Sequence, residues 1–321
     1  GSQRPDAQAL IDTGVQGVPV PAQRWGNPES EAARIFVNSG IELSDTMEFY
    51  AFGNYSWSKG TTAFFYRNPN TTFIATSIPT TNNPGGPRFS FRQLYPGGFT
   101  PDFGATITDT ALASGIRGEF SSGLTYDLSA SYGQNHASYR IDNTVNPSLG
   151  LSSPTSFKPG QLEQRELSFN LDLTNPIDIG TADPLTLAGG LEYRKETYEI
   201  TVGDIASWQV GPYASLIDPD TGNRIGLPVG SNGFPGFSPI QAGEFARDNW
   251  AAYTSIEGNL TDALQIGLAG RYENYSDFGS KFTWKASSRY DFSDAFGIRG
   301  SVNTGFRAPT PGQSNASQVQ T

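Results

Sequence analysis

Few residues of this chain are equipped for catalysis or for holding a metal ion. His136 is the single histidine and cysteine is absent. A histidine-based nucleophile triad would rest on that one residue, and a zinc site built from several histidine or cysteine ligands is excluded within the chain. The G-x-S-x-G nucleophile turn and the Walker and dinucleotide glycine patterns do not occur. Asp218-Pro219-Asp220-Thr221-Gly222-Asn223 has oxygen ligands in alternate positions, as calcium loops do, but it lacks the third acid and the distant glutamate of an EF-hand. An Asp/Gly turn accounts for it equally well. His136, beside an expected loop, reads as a solvated rim residue. No catalytic, cofactor or metal residue is assigned, and the chain is not expected to be an enzyme.

Two other sets carry chemistry. Glu192, Arg194, Glu196, Glu257 and Arg271 fall on the polar parity of their segments, and Glu273, Lys285, Arg289, Arg299 and Arg307 continue the series. Such charges pair across a strand ladder or form charge-assisted hydrogen bonds with something facing them. The second set is aromatic and lies among Gly/Pro turns: Tyr95, Phe99 and Phe103 near Phe89 and Phe91, then Trp208, Tyr213, Phe234 and Phe237. These rings suit stacking on sugars or catechols, or packing the loops together.

The elements that position both sets are strands. Thirty-seven glycines and twenty-two prolines favour turns and strands, and no helical stripe is sustained over several turns. Strands are expected near 33–42, 46–57, 113–121, 124–135, 161–173, 185–200, 247–259, 263–275, 281–291 and 296–307. Short turns join them at Leu43-Ser44-Asp45, Ser121-Ser122-Gly123, Leu260-Thr261-Asp262 and Phe292-Ser293-Asp294, with a longer turn from Asn175 to Pro184. Long loops are expected at about 58–112, 136–160 and 202–246. Parity separates the faces: Leu264, Ile266, Leu268, Gly270 and Tyr272 against Gln265, Gly267, Ala269, Arg271 and Glu273. The strand from 296 splits likewise, Phe296, Ile298, Val302 and Phe306 against Arg299, Ser301, Asn303 and Arg307.

A soluble sandwich would also alternate. Strand length, about ten residues or more, and aromatics toward strand ends (Tyr55, Trp57, Tyr132, Trp250, Phe282, Trp284, Tyr290) favour an inverted arrangement with the apolar face on lipid. A hydrophobic content of 36% and a mean hydropathy of −0.40 are compatible with that, because barrel strands present lipid only every second residue. The net charge of −10 argues against nucleic acid, which needs a basic footprint.

Gly300 to Pro311 reads G-S-V-N-T-G-F-R-A-P-T-P and resembles the G-F-R-A-P segment in the barrels of TonB-dependent outer-membrane receptors. Gly190-Leu191-Glu192-Tyr193-Arg194-Lys195-Glu196 is similar to a G-x-E-Y-R-x-E strand of those barrels. Thr144-Val145-Asn146 through Ser153-Pro154-Thr155-Ser156-Phe157 resembles a loop signature of one branch. The resemblance covers nearly the whole chain. It implies an all-β, antiparallel up-and-down transmembrane β-barrel in the bacterial outer membrane, and energised import of a scarce nutrient such as siderophore-bound iron or an oligosaccharide. It further implies outer-membrane lipid, a plug domain, TonB and a small-molecule substrate as partners, with no cofactor. Glu192, Arg194 and Arg307 match the recurrent motif, so the polar set is expected to face the lumen and hold the plug.

Family members have a larger barrel preceded by a plug, and nothing here resembles that plug. Past Gly312-Gln313-Ser314-Asn315 the sequence is polar and loop-like. The expectation is therefore one domain, 1–321, forming part of a receptor barrel with about ten strands. Two alternatives remain: a passive porin-like channel, and a soluble β-rich carbohydrate-binding or adhesion module.

Overall fold

Alternating residues punctuated by Asp, Ser and Gly turns extend as ten long strands in the computed structural model, which describes residues 4–26 and 28–315. Residues 1–3, 27 and 316–321, included in the one-domain expectation, lie outside the described residues. The strands are β1 Glu29–Ser44, β2 Met47–Ala63, β3 Asp102–Glu119, β4 Thr125–Asp142 and β5 Ser156–Ile177. They continue with β6 Leu185–Thr201, β7 Gly243–Thr261, β8 Leu264–Tyr275, β9 Gly279–Ser293 and β10 Phe296–Asn303. Each pairs antiparallel with its sequence neighbours in one up-and-down sheet, and β1 and β10 form its two edges.

Registers fix the faces, because residues directly opposite across a ladder lie on the same side. One face carries Leu112, Tyr132, Leu128, Leu171, Leu191 and Trp250. On paired inner strands these apolar side chains are nonetheless open: Leu112 is 54% exposed, Leu191 57% and Trp250 61%. Among the described residues the only other sheets are two two-stranded ones in the loops, too small to cover this face as the second sheet of a soluble sandwich would. Solvent-free apolar side chains gather in the loops instead, where Ile74, Ile78, Phe89, Phe91, Phe99 and Val145 form one cluster. An exposed apolar belt below a packed loop crown is the inside-out arrangement of a transmembrane barrel wall. No described helix is long and apolar enough to cross a membrane.

Aromatic rings mark the borders of the belt. Phe169, Tyr193 and Trp250 stack across β5, β6 and β7, with Tyr193 and Trp250 centred 4.5 Å apart. Tyr290, Phe292 and Phe296 cluster at the turn end.

The strands outrun their sequence expectation. β5 has 22 residues, and β3 begins at Asp102 where a loop to 112 was expected. The three long loops are thus 64–101, 143–155 and 202–242. The cause lies in the outward residues beyond the aromatic border. They are polar there, including Thr106, Thr108, Gln134, His136, Glu163 and Glu244, because those strand ends stand in water rather than lipid. The apolar alternation that signals a strand disappears while the ladder continues. At the other extreme, β10 stops at Asn303 rather than 307. Thr304 and Trp284 still exchange hydrogen bonds, and Phe306 then turns to pack on Tyr275 of the polar face instead of facing lipid.

Candidate functional site

The inward wall assembles from alternate residues of β6, β7 and β8. Ala251 of β7 lies directly between Glu192 of β6 and Glu273 of β8. Its small side chain leaves room for Arg271, which donates from Nη2 to Glu192 at 2.8 Å and to Glu273 at 3.0 Å. Arg194 approaches the other oxygen of Glu192 at 3.6 Å. Four of the expected lumen residues therefore form one connected group. Glu196 belongs to a second, centred on Arg247, which is 2% exposed. Arg247 pairs with Glu196 at 3.4 Å and Asp277 at 2.9 Å, and donates to the Pro309 carbonyl. Its guanidinium also lies 5.8 Å from the Tyr275 ring centre. The segment after β10, with its G-F-R-A-P residues, is thereby tied to the wall by a buried arginine. Arg307 itself is exposed and off the strand.

Sequence reading missed Arg247 and its neighbour Asn249, which is 1% exposed between Arg194 and Tyr275. Parity with Glu257 was the available signal. Glu257, Lys285, Arg289 and Arg299 lie on the expected face and are exposed; Arg289 pairs with Asp291 at 3.0 Å.

Two tyrosines span a strand each. Tyr50 of β2 crosses β3 at Gly115 and donates to Asp127 of β4 at 2.8 Å. Tyr253 of β7 crosses β6 at Gly190 and donates to Asp172 of β5. A Cβ at either glycine would stand 2.6 Å from the crossing ring, so the crossings need glycine. Asp127 and Asp172 are direct cross-strand partners. The two clasps thus converge from opposite sides on one carboxylate pair, at the wall of an open recess of about 740 Å³.

The loop aromatics divide into two groups. Phe99 has no exposed surface, and Tyr95 and Tyr213 pack against the cluster that contains it. Their rings hold the loops to one another; Tyr95 and Phe99 are centred 4.5 Å apart and Phe89 and Tyr213 5.2 Å apart. Burial pushes the Tyr95 hydroxyl up to about 12. Phe103 belongs to β3, not to a loop, and with Phe234, Phe237 and Tyr139 forms a half-buried patch at the mouth of the inward face. Trp208 is half-buried and donates from Nε1 to the Gly203 carbonyl at 3.0 Å. The Thr144–Phe157 signature is a clamp: Asn146 donates to the Ala206 and Gln209 carbonyls, and Thr144 to that of Asn232.

Asp218 and Asp220 face a guanidinium. Arg88 donates to each at 2.7 Å, joining loop 64–101 to loop 202–242 and holding the Asp218 carboxyl down at about 2. That contact gives the alternating oxygens of this turn a structural role. His136 lies within β4, not in a loop, with Nδ1 3.0 Å from Glu163 on the outward face. Nearby, Arg165 pairs with Glu163, Glu199 and Glu244.

A family model described as TonB dependent receptor-like, beta-barrel matches residues 50–321. The crystal structure of the siderophore receptor PirA from Acinetobacter baumannii aligns with a TM-score of 0.53 at 15% identity, over 95% of this chain and 36% of that one. The RagAB peptide importer in its closed-closed state aligns with a TM-score of 0.50 at 13% identity, over 82% of this chain and 30% of that one. The chain spans about a third of the length of these solved proteins, and the likeness at such identity is one of fold.

Proposed function

Because the chain belongs to the TonB-dependent receptor-like β-barrel family, we propose that it forms part of the wall of an importer that takes up a scarce nutrient at the expense of energy delivered through TonB. The chain is an outer-membrane β-barrel wall. The proposed role is non-catalytic. The observation that carries it is the connected inward group Glu192, Arg194, Arg271 and Glu273, which places charge-assisted hydrogen bonding where a plug domain would sit. A simple diffusion pore does not need such a group; a wall that must hold and release a domain does.

Ligand capture is assigned to the mouth. Phe103, Phe234 and Phe237 are half-buried and turned to the inward side, leaving ring area for a siderophore catechol or a sugar. Trp208 and Tyr213 act at one remove, by fixing the loop that carries Phe234. Phe99 and Tyr95 have the same supporting role.

The test is uptake against surface binding in cells producing the full receptor. Removing TonB should abolish uptake and leave binding intact. Arg194→Glu should lower uptake by at least tenfold while changing ligand affinity by less than about threefold, a loss near 1.4 kcal/mol in the transport step alone. Equal loss of both activities would contradict a plug-holding role for this group, and unimpaired uptake without TonB would favour the passive channel.

A further inference from the structure

Like charges opposed across the ladder are the least expected feature of this wall, since such pairs repel. On the inward face Glu42 lies opposite Glu48, Asp127 opposite Asp172, and Glu166 opposite Glu196. Toward the other edge the sign reverses. Arg289 of β9 lies opposite Arg299 of β10, with Lys285 on the same face.

Neighbouring groups offset some of this. Arg117 pairs with Glu48 at 2.8 Å and lies directly across from Asp127. Tyr50 and Tyr253 donate to Asp127 and Asp172, Arg247 serves Glu196, and Asp291 serves Arg289. Glu42, Glu166, Lys285 and Arg299 have no ion pair or side-chain hydrogen bond among the described residues. Among the described residues Arg34 of β1 is also unpaired on this face, but Glu42, Glu119 and Glu166 outnumber it, so residual negative charge collects on β1 to β5 and residual positive charge on β9 and β10.

Resting on the plug reading above, we propose that this wall recognises a dipolar protein domain seated in the lumen, with basic side chains turned to β1–β5 and acidic side chains to β9–β10. Separation of the two signs argues for a domain rather than a small ion. From β2 to β9 the sheet spans roughly 30–35 Å of arc, at about 4.8 Å per strand. A small anion at Lys285 and Arg299 would leave Glu42 and Glu166 on the other side uncompensated. An occupant that fills the lumen meets both sides at once. The polarity also sets its rotation about the barrel axis, because half a turn would oppose base to base and acid to acid.

The experiment uses the full receptor in planar lipid bilayers, with urea added to unseat the domain and conductance read as the open fraction. Wild type should be closed without urea. Arg299→Glu and Glu42→Lys, at opposite sides of the wall, should each raise the open fraction roughly two- to fivefold at a urea concentration that opens few wild-type channels. High salt should move wild type toward the variants. Arg299→Gln and Glu42→Gln, which add no repulsion, should give smaller shifts in the same direction and serve if a reversal fails to fold, as judged by heat-modifiable gel migration. Unchanged opening in all four variants would overturn the proposal. So would an effect confined to Arg299, which would indicate a local anion site. Wild-type conductance without urea would instead overturn the plug reading, and this proposal with it.

Discussion

Tyr253 and Asp172 sit on strands that are not neighbours, and the absence of a side chain at Gly190 brings them together. Gly190→Ala would put a methyl group 2.5 Å from the Leu171 carbonyl oxygen and 2.6 Å from the tyrosine ring. It should cost about 1–3 kcal/mol through the displaced ring and lost hydrogen bond. Tyr253→Phe should cost about 1 kcal/mol. In urea unfolding from lipid vesicles, the double variant should cost clearly less than the sum, because both changes remove one contact; full additivity would refute the clasp. At this scale the sequence was legible wherever parity sufficed. Glu192, Arg194, Arg271 and Glu273 lie on the face that alternation assigns them, and they touch. Arg247 was not legible, since alternation in one strand gives a face but not the residues that fold across it, here Asp277 and Pro309 from later turns.

The loops behave as elements with a core of their own. Loops 64–101 and 202–242 are joined by Arg88 with Asp218 and Asp220, a partly buried staple outside the membrane belt. The Asp218 carboxyl is held at about 2 against a usual 3.8, chiefly by its hydrogen bond from Arg88. A lowered carboxyl favours the folded form above the unfolded value, so this contribution is complete above about 3.8 and disappears as pH falls through about 2. Pepsin cleavage in 202–242 should be slow at pH 4 and faster at pH 2, relative to an unstructured substrate. Arg88→Ala should already be susceptible at pH 4; equal relative rates for wild type at both pH values would contradict the staple. The turn-side ends of the strands were legible because Asp, Ser and Gly punctuate them. Their loop-side ends were not, because β3, β4 and β5 continue after their outward residues become polar, and a ladder held by backbone hydrogen bonds needs no apolar signature once it leaves lipid.

For the molecule as a whole, stability depends on the solvent around the apolar belt. Leu268, 50% exposed, lies midway along β8 between the rungs that pair Leu264 with Tyr290 and Tyr272 with Phe282. Leu268→Arg should therefore cost about 2–4 kcal/mol in bilayers, measured by urea unfolding, and a change below about 0.5 kcal/mol would place this face away from lipid. Above the belt, the same sheet continues with Arg165 holding Glu163, Glu199 and Glu244 on its outside. From Trp250 to Gly243, β7 rises roughly 15–20 Å at about 3.3 Å per residue, allowing for tilt. The crown of loops consequently stands on a rigid turret, clear of the lipid headgroups. The contacts that bind the loops to one another therefore lie at a height apart from the rungs that grip the membrane.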